Sequence, residues 1–170
     1  MEDIYIVGCV RTAIGDFGGA LKGFMPSDLG GMVVVEALKR AGVGASDVEH
    51  VVFGEVGATS GRDAYLARVC ALNAGIPSEV PAFTLNRLCG SGVQAIVSAA
   101  QMMKLGEAAI TVAGGNTDAV AAQRDSIRPA EYARRAQTGA RRQCQRMKHG
   151  LVAIGIGGLQ CQHQRAARAH

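Results

Sequence analysis

Pro81-Ala82-Phe83-Thr84-Leu85-Asn86-Arg87-Leu88-Cys89-Gly90-Ser91-Gly92-Val93 changes character part-way along. Its first half, Pro81 to Leu88, has the aromatic, β-branched and aliphatic content of a strand. From about Gly90 to Leu105 small and aliphatic residues take over, and no charged side chain occurs between Arg87 and Lys104. A strand that turns directly into an uncharged helix is the joint of an α/β fold. A helix with no charged face is expected to be buried all round. Small residues at Gly90, Gly92, Ala95, Ala99 and Ala100 suit close approach of neighbouring backbones, so this helix is expected at the centre of the fold.

The alternation extends in both directions. Ile4 to Val10 has strand propensity, and Ser27 or Asp28 is placed to cap a helix with Leu29, Met32, Val33 and Leu38 on its apolar face and Gly42 at its end. Val51-Val52-Phe53 begins a second strand, and Arg62 to Ala74 makes a second helix stopped by Gly75 and Pro77. Ala109 to Ala113 reads as a fourth strand. The order β-α-β-α-β-α-β predicts a mainly parallel sheet with right-handed crossovers. After Gly115 the pattern decays. Pro129 and Gly139 interrupt the stretch from Arg124 to Lys148, and the apolar run Leu151 to Leu159 completes no obvious domain. The expected organisation is a core domain over residues 1–118 followed by an atypical basic tail over 119–170, poorly ordered or read out of frame.

Composition narrows the class of protein. At 170 residues and 48% hydrophobic the chain is long enough for one domain with a core, and with no Trp and 23 glycines that core has to be built from small aliphatic side chains. No apolar run approaches the roughly 18 residues of a membrane-spanning helix. The acidic start Met1-Glu2-Asp3 lacks the basic and then hydrophobic pattern of a secretory signal, so a cytoplasmic protein with no membrane partner is expected. Cys9, Cys70, Cys89, Cys144 and Cys161 are odd in number and contain no C-x-x-C pair, which favours free thiols over a disulfide framework or a metal site. The net charge of +4 conceals an asymmetry: residues 1–122 carry 8 Lys and Arg against 12 Asp and Glu, and residues 123–170 carry 10 against 2. Clustered arginines neutralise phosphates, which is the case for a nucleic-acid binder. Tyr132 is the one aromatic residue of that tail, so it lacks the stacking side chains of single-strand binders, and a solvated end is the simpler reading.

Cys89 stands where a strand ends and a helix begins. In open α/β sheets ligand sites form at the carboxyl ends of strands. Backbone N–H groups at a helix start stabilise a thiolate, and the same groups at Gly90 and Gly92, unobstructed by side chains, are placed to hydrogen-bond an oxygen that gains charge when a thioester carbonyl is attacked. A free Cys is also often an inert small hydrophobe. Position alone leaves both readings open. Cys9 and Cys70, in strand and helix patterns, read as core. Gly155-Ile156-Gly157-Gly158 has the glycine density of a phosphate loop without its Lys or its spacing.

The segment Asn86 to Ile96 resembles the acyl-enzyme motif of the thiolases. Arg11-Thr12-Ala13-Ile14-Gly15-Asp16-Phe17-Gly18-Gly19 is similar to the opening of that family, as are Val52-Phe53-Gly54, Ala74-Gly75-Ile76-Pro77 and Ala113-Gly114-Gly115. With Arg62-Asp63-Ala64-Tyr65-Leu66 the chain resembles the bacterial β-ketothiolases in particular, from about Asp3 to Asp118.

The resemblance implies an acyl-CoA acyltransferase: Claisen condensation of two acyl-CoA molecules, or thiolysis of a 3-ketoacyl-CoA, through an acyl thioester on Cys89, whose backbone amide helps hold the oxyanion. It implies coenzyme A thioesters as substrates, no external cofactor, and a homo-oligomer when the subunit is complete. The family's second half brings a His in a Gly-His-Pro segment, an Asn-Glu segment and a second Cys followed by glycine, and none is found here. His149-Gly150 has no following Pro, Cys144 and Cys161 precede Gln145 and Gln162, and His50, His163 and His170 read as surface histidines. Asn116-Thr117-Asp118-Ala119-Val120 also departs from the family pattern. The expectation is therefore a truncated and impaired thiolase, with a non-catalytic interaction module as the alternative and a basic-tailed nucleic-acid binder as the third reading.

Overall fold

The structure, a computed structural model, describes residues 3–15, 20–21, 23–58, 60–116 and 150–154. Among the described residues are five strands and three α-helices, which alternate as far as β4: β1 (Ile6–Val10), α1 (Pro26–Ala41), β2 (His50–Gly54), α2 (Leu66–Asn73), β3 (Ala82–Leu85), α3 (Ser91–Lys104), β4 (Ile110–Gly115) and β5 (Gly150–Ile154). The sheet order is β1-β5-β4-β2-β3 and every pairing is parallel. The expected α/β architecture is present. Gly150–Ile154, which takes in the start of the run Leu151 to Leu159 expected to complete no domain, forms the strand between β1 and β4. Leu151-Val152-Ala153-Ile154 is a short continuous apolar run, the composition of a strand inside a parallel sheet. The remaining parts of 119–170 lie outside the described residues.

Strand alternation divides the interior into two layers. Val51 and Phe53 of β2 and Val112 of β4 join Val33, Val34, Ala37 and Leu38 of α1 and Leu66, Cys70 and Ala71 of α2 in one cluster. On the opposite face Val52 and Ala113 meet Ala95, Ala99 and Met103 of α3. Small side chains on α3 let it lie close against the sheet, as the composition requires.

Three details differ from expectation. The residue preceding α1 is Met25, with no side-chain cap, and Pro26 opens the helix; proline supplies a preset φ where no amide partner is needed. Ser27 and Asp28 lie inside the first turn, and the helix ends at Gly42 in the left-handed region, φ 68°, as expected of a glycine stop. The helix expected to be buried all round is covered along one stripe only, Ser91, Ala95, Ala99 and Met103. Val93 and Val97 stand 68% and 42% exposed, because no described residue covers the outer side of α3. His50, expected on the surface, is buried at the start of β2, an interior strand between β4 and β3, with its ring edge-on to Phe83.

Candidate active site

β2, β3 and β4 end side by side. The Glu55 N–H donates to the Leu85 carbonyl and the Asn116 N–H to the Gly54 carbonyl, each at 2.9 Å, which extends the ladder one step past the strands. Glu55 and Asn116 are both buried at this rim; Glu55 did not stand out in the sequence and Asn116 did so only as the first residue of the stretch Asn116 to Val120, since single polar residues after a strand carry no local signal. The start of α3 is seated over the same ends, where Gly54 and Gly115 leave room for Ser91 and Gly92.

Between β3 and α3 the chain makes a turn from Arg87 to Gly90, closed by the Gly90 N–H on the Arg87 carbonyl at 3.1 Å. Leu88, the first central residue, has φ 49°, and it is the one non-glycine residue with positive φ among those described. That conformation costs an ordinary L-residue on the order of 1–2 kcal/mol. Neighbouring side chains hold it. The Leu88 N–H donates to Asn86 Oδ1 at 2.9 Å, and Asn86 Nδ2 donates to the Val56 carbonyl at 2.9 Å. The Leu88 carbonyl accepts the Ser91 N–H at 3.0 Å and the Ser91 hydroxyl at 2.7 Å, while Ser91 Oγ accepts the Arg87 N–H at 2.8 Å. Outside this ring, Arg87 donates to Gln94 Oε1 at 2.8 Å.

Cys89 is the second central residue of this turn, and it is exposed. It lies at the carboxyl ends of parallel strands, just before a helix. One expectation changes: the Gly90 amide is engaged with the Arg87 carbonyl and is not available to an incoming oxygen. Tight closure of the turn consumes it. Asn86 and Ser91 were quoted in the motif without a role; an Asn two positions before a left-handed residue is an Asx-turn signal that points to the first of them.

Of the other thiols, Cys70 is buried and its Sγ lies 3.7 Å from the Ser27 carbonyl. Burial pushes this thiol up to about 12, and the negative charges of Glu55, Asp63 and Asp28 add to the effect. Cys9, expected in the core, is exposed, since its neighbours Gly8 and Val10 take the face toward α1. Cys144, Cys161, His149, His163, His170, the glycine run 155–158 and nearly all of the basic segment lie outside the described residues. Among the described residues no group of three His, Cys, Asp or Glu side chains is arranged to hold a metal, and no helix is long and apolar enough to cross a membrane.

Comparison with known proteins decides the family. The thiolase N-terminal domain matches residues 4–163. The chain belongs to the thiolase N-terminal domain family. It is 55% identical over 114 residues to the beta-ketothiolase BktB of Cupriavidus necator, which covers 67% of this chain and 29% of that protein. It is 48% identical over 114 residues to an acetyl-CoA acetyltransferase of Syntrophomonas wolfei, covering 67% of this chain and 28% of that one. The crystal structure of the Bacillus anthracis acetyl-CoA acetyltransferase superimposes with a TM-score of 0.65 at 39% identity, covering 79% of this chain and 34% of its own. Human mitochondrial 3-ketoacyl-CoA thiolase in complex with CoA gives 0.61 at 41% identity, covering 63% and 27%. This thiolase domain thus spans about 30% of the length of the relatives it matches.

Proposed function

We propose that Cys89 of this thiolase domain is an acyl acceptor for coenzyme A thioesters. The observation that carries the reading is the placement of an exposed thiol on a hydrogen-bonded turn at the carboxyl ends of β2, β3 and β4, within the motif by which the chain resembles the thiolases. In the proposed step Cys89 Sγ attacks the thioester carbonyl and a new C–S bond forms. The tetrahedral intermediate collapses with cleavage of the bond to the coenzyme A sulfur, which leaves as the thiol carrying the proton that Cys89 gave up. The Cys89 backbone N–H is the donor assigned to the oxyanion of that intermediate. Acetyl-CoA, other acyl-CoA molecules and 3-ketoacyl-CoA are the substrates of this reading, with no external cofactor.

Carbon–carbon bond formation also needs a base that takes a proton from the second acetyl-CoA. The sequence offers no segment resembling those that supply it in the family, so this chain is proposed to transfer acyl groups slowly to Cys89 and not to condense them. Residues 1–118 are proposed as the core domain, completed by the strand β5 from within 119–170, and the rest of 119–170 as an atypical tail, in a cytoplasmic protein whose complete form is a homo-oligomer.

Incubation with acetyl-CoA followed by peptide mass spectrometry tests the proposal. An acetyl adduct on Cys89, abolished in Cys89→Ala and unaccompanied by acetoacetyl-CoA, is the expected result. No adduct on Cys89, or turnover to acetoacetyl-CoA after removal of host thiolase, overturns it. The reading as a non-catalytic interaction module is favoured by a different observation, the exposed Val93 and Val97 on α3, which carries no charged side chain before Lys104.

A further inference from the structure

We propose that Ser91, assisted by Asn86, is a positioning residue that aims the backbone N–H of Cys89. The inference rests on the reading of Cys89 as an acyl acceptor and assigns a role to two side chains that do not touch the thiol.

Two consecutive peptide planes before Cys89 are held at both edges or at the edge that matters. In the plane joining Arg87 to Leu88, the Arg87 carbonyl accepts the Gly90 N–H at 3.1 Å and the Leu88 N–H donates to Asn86 Oδ1 at 2.9 Å. In the plane joining Leu88 to Cys89, the carbonyl accepts two bonds from Ser91, the N–H at 3.0 Å and the hydroxyl at 2.7 Å. Every described peptide bond is trans, so the Cys89 N–H points opposite to that carbonyl. A group that fixes the Leu88 oxygen toward the helix therefore fixes the Cys89 hydrogen away from it.

Ser91 is suited to this task by its burial and by its full use of bonding capacity. The residue is 3% exposed, its one hydroxyl proton goes to the Leu88 carbonyl, and its oxygen accepts the Arg87 N–H. It has no proton to offer a substrate. Leu88 gives the clamp its purpose: at φ 49° this residue would relax toward the right-handed region if released, and the Leu88–Cys89 plane would turn with it. A glycine at position 88 would hold such a turn without help. The chain places a leucine there and surrounds it with hydrogen bonds.

An oxyanion donor matters for attack on a carbonyl and not for displacement of iodide. The test therefore compares two reagents at Cys89 in the full chain: acetyl transfer from p-nitrophenyl acetate, which passes through a tetrahedral oxyanion, and alkylation by iodoacetamide, which does not. Protection of Cys70 from iodoacetamide serves as the gauge of folding, because that thiol is buried. Ser91→Ala is expected to lower the acylation rate about tenfold with the alkylation rate within about twofold of the parent, a partial loss on the scale of a misaimed oxyanion donor. Asn86→Ala, at an exposed position, is expected to shift the ratio in the same direction. If Ser91→Ala exposes Cys70, Asn86→Ala decides. An unchanged ratio in a variant that keeps Cys70 protected, equal falls in both rates, or exposure of Cys70 in Asn86→Ala as well would each overturn the proposal, the last by showing that the clamp serves the fold. The acetyl-CoA experiment is separate: failure there with a shifted ratio here removes the coenzyme A reading and leaves the clamp standing.

Discussion

Gly54 and Ser91 approach so closely that position 54 admits no side chain. A β-carbon built on Gly54 would lie 2.5 Å from both the carbonyl carbon and the carbonyl oxygen of Ser91. Those atoms are backbone at the start of a helix and cannot swing aside. Gly54→Ala is expected to destabilise the domain by about 1–3 kcal/mol, read as a lower denaturant midpoint at unchanged slope. It should also disturb the turn at Cys89 before the rest of the sheet. An unchanged midpoint would mean that α3 is not seated on the end of β2.

The three described thiols should separate by exposure. Brief iodoacetamide treatment of the native chain at about pH 7.5 is expected to label Cys89 and Cys9 and to leave Cys70 intact, since only the thiolate is alkylated and burial pushes the Cys70 thiol up to about 12. Cys89, on its turn before α3, is expected to react faster than Cys9. Peptide mapping by mass spectrometry reads the order, and labelling of Cys70 ahead of Cys89 would contradict the structure.

His50 gives the fold a pH dependence. Its ring is buried against Phe83, with centroids 5.6 Å apart, and Nδ1 finds no hydrogen-bond partner among the described residues. Burial lowers its proton affinity below the ordinary value of 6.5, an effect opposed in part by the Val51 backbone and Glu107 and reinforced by Arg68. The unfolded chain therefore binds the proton more readily. The stability that depends on a neutral His50 is complete above pH 6.5 and is lost as the pH falls through 6.5 toward the lower folded value. Denaturation midpoints measured between about pH 8 and about pH 5 should fall less in His50→Leu than in the parent. Parallel curves for the two proteins would rule out His50 as the source.

The two sides of α3 should respond differently to substitution. Ala99 is fully buried against the sheet, and Ala99→Leu adds volume where none is free, so a loss of about 1–3 kcal/mol is expected. Val93→Gln and Val97→Gln, on the exposed side, are expected to change stability by no more than about 0.5 kcal/mol and to reduce self-association. Thermal melts and light scattering distinguish these outcomes. A large stability loss in the double Gln variant would show that the outer side is covered.

Much of the architecture was legible because each parallel strand and its following helix leave a local mark: Val51 to Phe53, then Arg62 to Ala74, within which α2 begins at Leu66 after a short 3-10 turn, then Pro81 to Leu88, within which β3 lies, with Gly42 and Gly75 as stops. The thiol at position 89 was legible for the same reason, as a Cys between a strand and a glycine-rich helix start. What escaped was non-local. His50 is polar by type and buried by topology, because β2 lies between β3 and β4. Cys9 is apolar by type and exposed because Gly8 and Val10 take the face toward α1. The absence of charge in α3 before Lys104 signals a capacity for burial on every side, whereas coverage depends on what else is folded against it. The clamp around Leu88 depends on a backbone angle that no composition reveals, although Asn86 hinted at it.

The strand order has a consequence for assembly. β1, close to the start of the chain, hydrogen-bonds to β5 and to no other described strand, and β5 begins only at Gly150. During synthesis β2, β3 and β4 with the helices between them emerge as a contiguous block and can pair at once, since their contacts span short stretches of sequence. β1 has to wait, with its edge unsatisfied, until residues 150–154 leave the ribosome and slot in beside it. A nascent chain halted after Gly115 would hold a three-stranded sheet and a first strand with no neighbour, the kind of open edge on which chaperones and other chains act.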